Sequence, residues 1–337
     1  TDSTPYGVLT GDTLFIGDVG RPDLLSSKGV TSEELGGCLY DSLHEKLMVL
    51  PDATRVFPAH GAGSSCGKNL STDTSSTIGE QRSGNYAVQP MTKDEFVAVV
   101  TAGQTAPPAY FAFDAALNRE MRPVLDEHAA PSPLEMHEVV ALRDGGAVVL
   151  DTRGPEAFAL GHVARSINIG LAGRYAEFAG GVIEPDATIV LVCDPGTELE
   201  SKVRLARIGM DNVAGHLIDP ERSLADAPEH VSTGDRVDVP GLIAARAANP
   251  GLQLVDVRQP GETEGGVIDG AVLVPLTQLN ERMGELDPSH QTIVYCAGGF
   301  RSSIAASRMA AAGFGDIADL LGGYGAWSEA HASAGAD

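Results

Sequence analysis

Basic residues are scarce in this chain of 337 residues. It contains 23 Lys and Arg against 46 Asp and Glu, which gives a formal net charge of −23 at pH 7. Nucleic acids and anionic membrane surfaces attract positively charged proteins, so this balance argues against both as partners. The acidity is most simply interpreted as a surface that keeps the protein in solution.

Cysteine is scarce as well. The four cysteines stand at positions 38, 66, 193 and 296, and no two of them have the Cys-x-x-Cys spacing. This pattern excludes the dense disulfide framework of a small secreted domain and is typical of a reducing compartment. No apolar run approaches the 18 residues of a membrane-spanning helix, and no signal peptide is visible. We therefore expect a cytoplasmic protein.

Aromatic residues make up only 5% of the chain, but hydrophobic residues in total make up 43%. That fraction is ordinary for a globular protein and is enough to build cores. The length indicates two or three domains. Because Thr1 is not a natural start and Leu14 to Gly17 already has the pattern of a strand within a domain, we expect the chain to begin inside a domain.

The clearest chemical signal lies in residues 292–303. Thr292 to Tyr295 are β-branched or aromatic and predict a short buried strand. Cys296 follows at once, then a loop over 297–301 and a helix predicted over 302–312. The free N–H groups and the dipole at a helix N-terminus favour an anion, so they favour the thiolate, which is the nucleophilic form of cysteine. The alternative is a buried structural cysteine beside a glycine-rich turn.

Three other loop residues fit the reactive interpretation. Gly298 and Gly299 allow the backbone N–H groups to converge on the sulfur. Arg301 adds a permanent cation with a planar fork of donors, which suits an anionic substrate.

This stretch and its flanks resemble the rhodanese family of sulfurtransferases over about residues 236–332. The loop from Cys296 to Arg301 has six residues, the length that in this family suits a sulfur substrate; the Cys-x5-Arg phosphatases carry one more. The flanking matches are the first strand with its Asp-x-Arg signature, the second strand segment and the closing motif: Leu254–Arg258, Val267–Pro275 and Leu320–Trp327. The Gly-His that usually precedes the second segment is missing.

The resemblance implies a sulfurtransferase in which Cys296 attacks sulfane sulfur and carries it as a persulfide. The expected substrate-binding residues are Ala297, Gly298, Gly299, Phe300, Arg301 and Ser302. Ser302 is also expected to cap the helix that follows. The expected donors are thiosulfate or a low-molecular-weight persulfide, and the expected acceptors are thiols or cyanide. This chemistry requires no cofactor. The sequence does not indicate an oligomeric state.

Residues 134–225 repeat this pattern. Asp151 and Asp256 are 105 residues apart, and Cys193 and Cys296 are 103 residues apart, which indicates two tandem domains. Strands alternate with helices in both, which implies parallel sheets covered by helices. After Cys193, however, come a proline and several acidic residues with no arginine at the position of Arg301, and like charges disfavour a thiolate. We therefore expect the first repeat to be inactive, with residues 219–236 as the linker.

The first region, residues 1–130, has two candidate metal ligands. A strand predicted over 13–18 ends at Asp18, and a strand over 54–57 leads to His60. Carboxylate and imidazole groups are common metal ligands, and each of these two residues follows a predicted strand. A helix with leucines at helical spacing is predicted over 39–50. Thr92 and Glu95 form a capping-box pattern that predicts a helix over 93–102.

Two segments of this region, 15–24 and 56–68, resemble the C-terminal half of a metallo-β-lactamase-fold domain. The most similar branch is the persulfide dioxygenases related to glyoxalase II that are fused to rhodanese domains. The resemblance implies that Asp18 ligates iron, that His60 lies near it, and that the intact protein oxidises a persulfide to sulfite. The family's His-x-His-x-Asp-His motif is absent, so Asp18 alone does not complete a facial triad.

The expected fold class is therefore α/β: the C-terminal part of a metallo-β-lactamase αββα domain (1–130), followed by an inactive rhodanese-like domain (134–225) and a rhodanese domain with the cysteine loop (236–332). A sulfurtransferase is the leading function. A non-catalytic sulfur-binding or scaffold protein, a phosphatase or arsenate reductase, and a metallohydrolase are the alternatives.

Overall fold

The computed structural model describes residues 5–24, 29–62, 64, 66–68, 70–103, 110–122 and 125–334. The chain divides into two compact units, Thr1–Pro107 and Pro108–Asp337. The second unit contains both sequence repeats. Within the described residues, no helix combines the length and the apolar character needed to cross a membrane.

The first unit is built on a small mixed sheet. Its strands and helices are β1 Gly7–Gly11, α1 Ser32–Ser42, β2 Arg55–Pro58, β3 Ser76–Thr77, α2 Ile78–Gly84 and α3 Lys93–Thr101. Strand β1 pairs with β2 in parallel, and β3 pairs with β2 antiparallel. The helix predicted over 93–102 is confirmed, and its N-terminus carries the predicted capping box of Thr92 and Glu95.

One predicted element of this unit is wrong, and the bounds of a second differ from the prediction. Residues 13–18 form tight turns after β1 instead of a strand. Leu14 and Phe15 are fully buried in these turns, and their apolar side chains gave the segment the pattern of a strand. The helix predicted over 39–50 begins earlier, where a capping box of Thr31 and Glu34 starts α1 at Ser32. A π-helical turn, Leu43–Leu47, continues it. Leucine spacing identified the buried face but not the helix bounds.

The first repeat forms a parallel sheet of order β4-β9-β8-β5-β7. Its strands are β4 Pro133–Leu134, β5 Val148–Asp151, β7 Ile167–Asn168, β8 Ile189–Val192 and β9 Val213–Leu217. The helices of this part are α4 Tyr110–Leu117, α5 Met136–Asp144, α6 Pro155–Leu160, α7 Tyr175–Val182, α8 Glu198–Ala206 and α9 Pro220–Asp226. Helix α4 precedes the repeat but belongs to the second unit, since Tyr110 packs in the same core as β8 and α7.

The second repeat forms an equivalent parallel sheet of order β11-β15-β14-β12-β13. Its strands are β11 Asp235–Val237, β12 Gln253–Asp256, β13 Val272–Leu273, β14 Thr292–Tyr295 and β15 Ile317–Leu320. Its helices are α10 Val239–Ala248, α11 Leu279–Arg282, α12 Phe300–Ala311 and α13 Gly323–Ala334. The strand predicted at 292–295 is confirmed, and so are the two parallel sheets.

The segment predicted as a linker, 219–236, is instead ordered. It contains α9, and the strand β10 Val231–Ser232 pairs antiparallel with β6 His162–Val163 of the first repeat. Strand β11 then joins the edge of the second sheet beside β15. Arg236 fixes this crossing, because its guanidinium binds both Asp319 of the second repeat and Glu156 of the first. Prolines and charges in the sequence concealed these pairings.

The two repeats share a core. A single cluster of buried apolar residues includes Cys193 and Leu205 from the first repeat with Cys296 and Ile304 from the second. Polar contacts support it: the Ser307 hydroxyl accepts a hydrogen bond from the backbone N–H of Asn168, with 2.9 Å between N and Oγ. The first repeat is therefore a structural support for α12, the helix that follows the cysteine loop.

Candidate active site

The candidate site lies where two neighbouring parallel strands end. Strands β12 and β14 pair so that Asp256 lies opposite Tyr295, and the connections that follow them leave from the same edge of the sheet. The order of the strands reverses between β12 and β14, and ligands of open parallel sheets bind at such a switch point. Cys296 is the first residue after β14.

The sulfur of Cys296 is held by the backbone at the start of α12. Its side chain is almost fully buried, and the Gly299 N–H donates a hydrogen bond to Sγ at 3.1 Å. The Ser302 hydroxyl oxygen lies 3.6 Å from Sγ. A sulfur in this place faces the positive end of the helix dipole and an N–H donor, and both stabilise a thiolate or a persulfide anion.

The structure corrects two expectations about the loop. Helix α12 begins at Phe300, not at Ser302, so Phe300 and Arg301 belong to its first turn and the loop proper is Ala297 to Gly299. Ser302 does not cap the helix, because Gly299 occupies the N-cap position with a φ of 97°. The Ser302 hydroxyl instead donates to the carbonyl of Gly299 at 3.0 Å, which holds the turn closed around the sulfur.

The closing motif packs directly on the back of the loop. The N–H of Tyr324 donates to the carbonyl of Cys296 at 2.7 Å, and the N–H of Gly325 donates to that of Ala297 at 3.0 Å. These bonds use N–H groups from the first turn of α13. The loop backbone is therefore fixed by residues that lie almost thirty positions away in sequence.

Arg301 is not an unpaired cation. Its two terminal nitrogens bind the two carboxylate oxygens of Glu262, both at 2.6 Å. This ion pair raises the pKa of Arg301 and lowers that of Glu262. Glu262 was not predicted from the sequence. It stands four residues after the Asp-x-Arg signature, in the short turn that follows β12.

The Asp-x-Arg signature has a structural role. Asp256 and Arg258 form a buried ion pair, and Arg258 also donates to the carbonyl of Gly266 at 2.9 Å. Asp151 and Arg153 repeat the arrangement in the first repeat, where Arg153 binds the carbonyl of Gly161. In both copies the pair ties the end of the strand that carries the aspartate, β5 or β12, to the following loop.

The surroundings of the loop that lacks the histidine differ from those of the matching loop in the first repeat. In the first repeat, His162 stacks on Phe158 with ring centroids 3.7 Å apart. In the second, Gly266 matches Gly161, because Arg258 binds its carbonyl as Arg153 binds that of Gly161, and the Tyr324 hydroxyl lies where a side chain on Gly266 would begin. Tyr324 comes from the closing motif, and its ring also covers the Arg258 guanidinium at 4.1 Å.

The matching cysteine of the first repeat has a different environment. Burial, with smaller contributions from Glu198 and Asp151, raises the pKa of the Cys193 thiol to about 11. Glu198 stands at the place of Arg301, five residues after the cysteine. The sequence correctly identified the unfavourable charges, but burial is the larger cause.

The structure separates the two metal-ligand candidates of the first unit. Asp18 is fully buried, and its carboxylate accepts hydrogen bonds from the N–H of Val19, the N–H of Lys68 and the hydroxyl of Tyr86, at 2.8, 2.6 and 2.9 Å. Burial and this carboxylate raise the pKa of Tyr86. Asp18 therefore organises a buried polar cluster in which its oxygens already have donors.

His60 instead lies beside Asp12 and Cys66. One potential ligand atom of each of these three residues lies within 4.8 Å of the others. The imidazole of His60 also lies beside the carboxylate of Asp12, with 3.2 Å between Nδ1 and Oδ1. Among the described residues Asp18 is not part of this group. Sequence reasoning missed Asp12 because it concentrated on the acid at the end of a predicted strand, and that strand is absent.

Comparison with known proteins agrees with this geometry. The model of the rhodanese-like domain matches residues 135–217 and 240–330, just over half of the chain. The chain belongs to the rhodanese-like domain family. YqhL of Bacillus subtilis is 40% identical over 82 residues, which cover 24% of this chain and 65% of YqhL. The thiosulfate sulfurtransferase GlpE of Shewanella oneidensis is 36% identical over 81 residues, 24% of this chain and 80% of GlpE.

A solved structure extends the similarity beyond the rhodanese domains. A metallo-β-lactamase from Staphylococcus aureus matches with a TM-score of 0.54 and 29% identity, covering 64% of this chain and 59% of that one. The chain thus spans less than two thirds of the length of that protein and of YqhL. The fusion of a metallo-β-lactamase fold with two rhodanese domains is confirmed as the architecture.

The thiol of the first rhodanese domain is predicted to be unreactive. With a pKa of about 11, Cys193 holds its proton at pH 8, and its thiolate fraction is about a hundredfold below that of an ordinary cysteine. Alkylation with iodoacetamide at pH 8, followed by peptide mass mapping, should modify the exposed Cys38 at least that much faster than Cys193. Comparable rates would contradict the assigned environment. Because ionisation is disfavoured in the folded state, the reactivity of Cys193 should rise only as the pH approaches 11.

Asp18→Asn is predicted to destabilise the first unit by about 2–3 kcal/mol, because an amide cannot accept all the donors that now point at a buried carboxylate. Asp12→Asn is the matched control: its side chain is 40% exposed, and we expect a change below about 0.5 kcal/mol. Urea unfolding of both variants measures the difference. An equal effect of the two substitutions would refute the structural role of Asp18.

Proposed function

We propose that this protein is a rhodanese-type sulfurtransferase in which Cys296 is the nucleophile. The observation that carries the proposal is the position of Cys296 Sγ, which accepts a hydrogen bond from the Gly299 N–H at the first turn of α12. The similarity to a protein named thiosulfate sulfurtransferase supports the same chemistry.

The first half-reaction moves sulfane sulfur onto the protein. The Cys296 thiolate attacks the outer sulfur of thiosulfate, the sulfur–sulfur bond to the sulfonate breaks, and sulfite leaves with the bonding electron pair. The product is a cysteine persulfide anion on the protein. With an organic persulfide as donor, the corresponding thiolate leaves instead. This is covalent nucleophilic catalysis with a double-displacement sequence.

The second half-reaction returns the thiolate. An acceptor thiolate or cyanide attacks the terminal sulfur, and Cys296 departs as the leaving group. The Gly299 N–H and the positive end of α12 stabilise the anion on sulfur at both stages. Ala297, Gly298, Phe300 and Ser302 shape the pocket around that sulfur.

The first rhodanese domain has no catalytic part in this proposal. Cys193 is held as a thiol and Glu198 replaces the arginine. The domain, within boundaries proposed at 134–225, supports α12 of the active domain, proposed at 236–332, through their shared core. The preceding region, proposed at 1–130, carries the metallo-β-lactamase similarity.

Release of sulfite in the absence of an acceptor tests the proposal. The protein mixed with excess thiosulfate should release one equivalent of sulfite per chain in a burst and then stop until cyanide is added. Cys193→Ser is the matched control and should keep the full burst. No burst from the unmodified protein would reject the sulfurtransferase and favour a non-catalytic sulfur-binding scaffold. Phosphate release from an aryl phosphate would favour the phosphatase alternative.

We also propose a metal site in the first unit as a second function. The metallo-β-lactamase fold implies a metal, and Asp12, His60 and Cys66 offer oxygen, nitrogen and sulfur donors to one ion. Iron, which the resemblance implies for oxidation of a persulfide to sulfite, prefers two histidines and one carboxylate. Among the described residues this group supplies one histidine and one carboxylate, so it fits only part of such an iron site.

Metal binding by the first unit can be measured directly. Equilibrium dialysis against Fe²⁺ or Zn²⁺ should show weaker binding for Asp12→Ala and His60→Ala than for the unmodified protein. Asp18→Asn, measured under conditions where it is folded, should bind as the unmodified protein does. Loss of binding in Asp18→Asn alone would return the ligand role to Asp18. Hydrolysis of a thioester by the metal-loaded protein would favour the metallohydrolase alternative.

A further inference from the structure

Arg301, in the first turn of α12, is neutralised by the carboxylate of Glu262. Both terminal nitrogens of Arg301 are committed to Glu262, and both contacts are 2.6 Å. A bidentate arginine–carboxylate pair is among the strongest and most directional charged contacts in proteins. A donor anion that approaches Arg301 therefore also meets Glu262.

The carboxylate is held in this place from its own side. Glu262 accepts a hydrogen bond from the N–H of Gln259 at 2.9 Å, within a capping box that closes the turn Pro260–Thr263. Arg301 lies in the first turn of α12, whose position is fixed by the core. Glu262 is thus a fixed negative charge at the edge of the site, and its lowered pKa keeps it ionised at neutral pH.

The charges of the site then add up unfavourably for a dianion. Arg301 and Glu262 cancel, and the other arginine nearby, Arg258, is cancelled by its buried partner Asp256. The reactive form of Cys296 adds a further negative charge. Glu262 repels a donor with two negative charges more strongly than it repels a donor with one negative charge.

We propose that Glu262 is a specificity-determining residue that selects monoanionic organic sulfane-sulfur donors, such as persulfides, over dianionic thiosulfate. The inference rests on the proposed sulfurtransferase function. Thiosulfate remains a donor in this account, but a poor one. Glu262 acts through Arg301 and through its own charge, and it takes no part in bond making.

Two donors that differ in charge and little in shape test the proposal. Methanethiosulfonate carries a methyl group where thiosulfate carries a charged oxygen, and attack by Cys296 on its outer sulfur releases methanesulfinate. We would measure kcat/KM for both donors, with cyanide as acceptor, in the unmodified protein, in Glu262→Gln and in Glu264→Gln. Glu264→Gln is the matched control, because it removes one negative charge two residues away, from a side chain that does not bind Arg301 in the described structure.

The expected result is a change in the ratio of the two kcat/KM values. Glu262→Gln should raise the thiosulfate to methanethiosulfonate ratio by about tenfold, the size expected for removing one partly exposed charge near a dianion. Glu264→Gln should change the ratio by less than about twofold. An unchanged ratio in Glu262→Gln, or equal changes in both variants, would overturn the proposal.

Salt dependence gives a second readout that does not depend on how well a variant folds. In the unmodified protein, added salt screens Glu262 and should raise the ratio; in Glu262→Gln, added salt screens the released Arg301 and should lower it. The same sign in both proteins would overturn the proposal. Failure of the function itself looks different, because a protein that takes sulfur from neither donor gives no ratio at all.

Discussion

A Cys296→Ser variant is expected to lose sulfur transfer by at least about a thousandfold. A hydroxyl is not ionised by a helix N-terminus at neutral pH, and an oxygen cannot form the persulfide that carries sulfur to the acceptor. The substitution is nearly isosteric at a site where the side chain is buried and already lies near the Ser302 hydroxyl. We therefore expect the fold to survive, with a change in Tm of a few degrees.

The thiosulfate-to-cyanide assay checks this expectation. Cys193→Ser, at the matching strand end of the first domain, is the control and should retain activity within about twofold. Activity that survives in Cys296→Ser and disappears in Cys193→Ser would exchange the roles of the two domains.

A Gly323→Ala variant is expected to combine the largest structural effect with loss of sulfur loading. A Cβ on Gly323 would lie 2.2 Å from the carbonyl oxygen of Cys296, and its φ of +56° is strained for other residues. The clash is with backbone that the N–H of Tyr324 holds in place, so a side-chain movement cannot relieve it. We expect a loss of about 2–4 kcal/mol in the free energy of unfolding.

Gly315→Ala is the matched control for this prediction. Gly315 belongs to the same domain, and a Cβ there meets no atom of the described residues within 4 Å. Urea unfolding should place it within about 0.5 kcal/mol of the unmodified protein. If Gly323→Ala unfolds at the same urea concentration as this control, the closing motif does not fix the loop as the structure indicates.

The sequence predicted what local patterns determine. Four β-branched or aromatic residues before Cys296 favour a buried strand, and the structure has one there. The similar offsets between Asp151 and Asp256 and between Cys193 and Cys296 revealed two domains of the same kind. The reactive cysteine was recognisable because its surroundings, a strand end, two glycines and a helix start, are contiguous in the chain.

The remaining features depend on contacts that are distant in sequence. Glu262 meets Arg301 only because β12 and β14 are neighbours, and the pair is invisible in either segment alone. Asp18 follows an apolar run and resembled a ligand at a strand end, but its oxygens are occupied by donors that include Lys68 and Tyr86, fifty or more residues away. The motif that surrounds Asp18 is correct for the fold, and the ligand role of Asp18 stays a prediction.

Cys296 carries sulfur in the proposed reaction. The most direct measurement is the intact mass of the protein after exposure to thiosulfate or methanethiosulfonate, followed by treatment with cyanide. We expect a gain of one sulfur atom per chain, located by peptide mapping on Cys296, removed by cyanide and absent from Cys296→Ser. A protein that gains no sulfur from either donor, or that gains it elsewhere than on Cys296, would contradict the account.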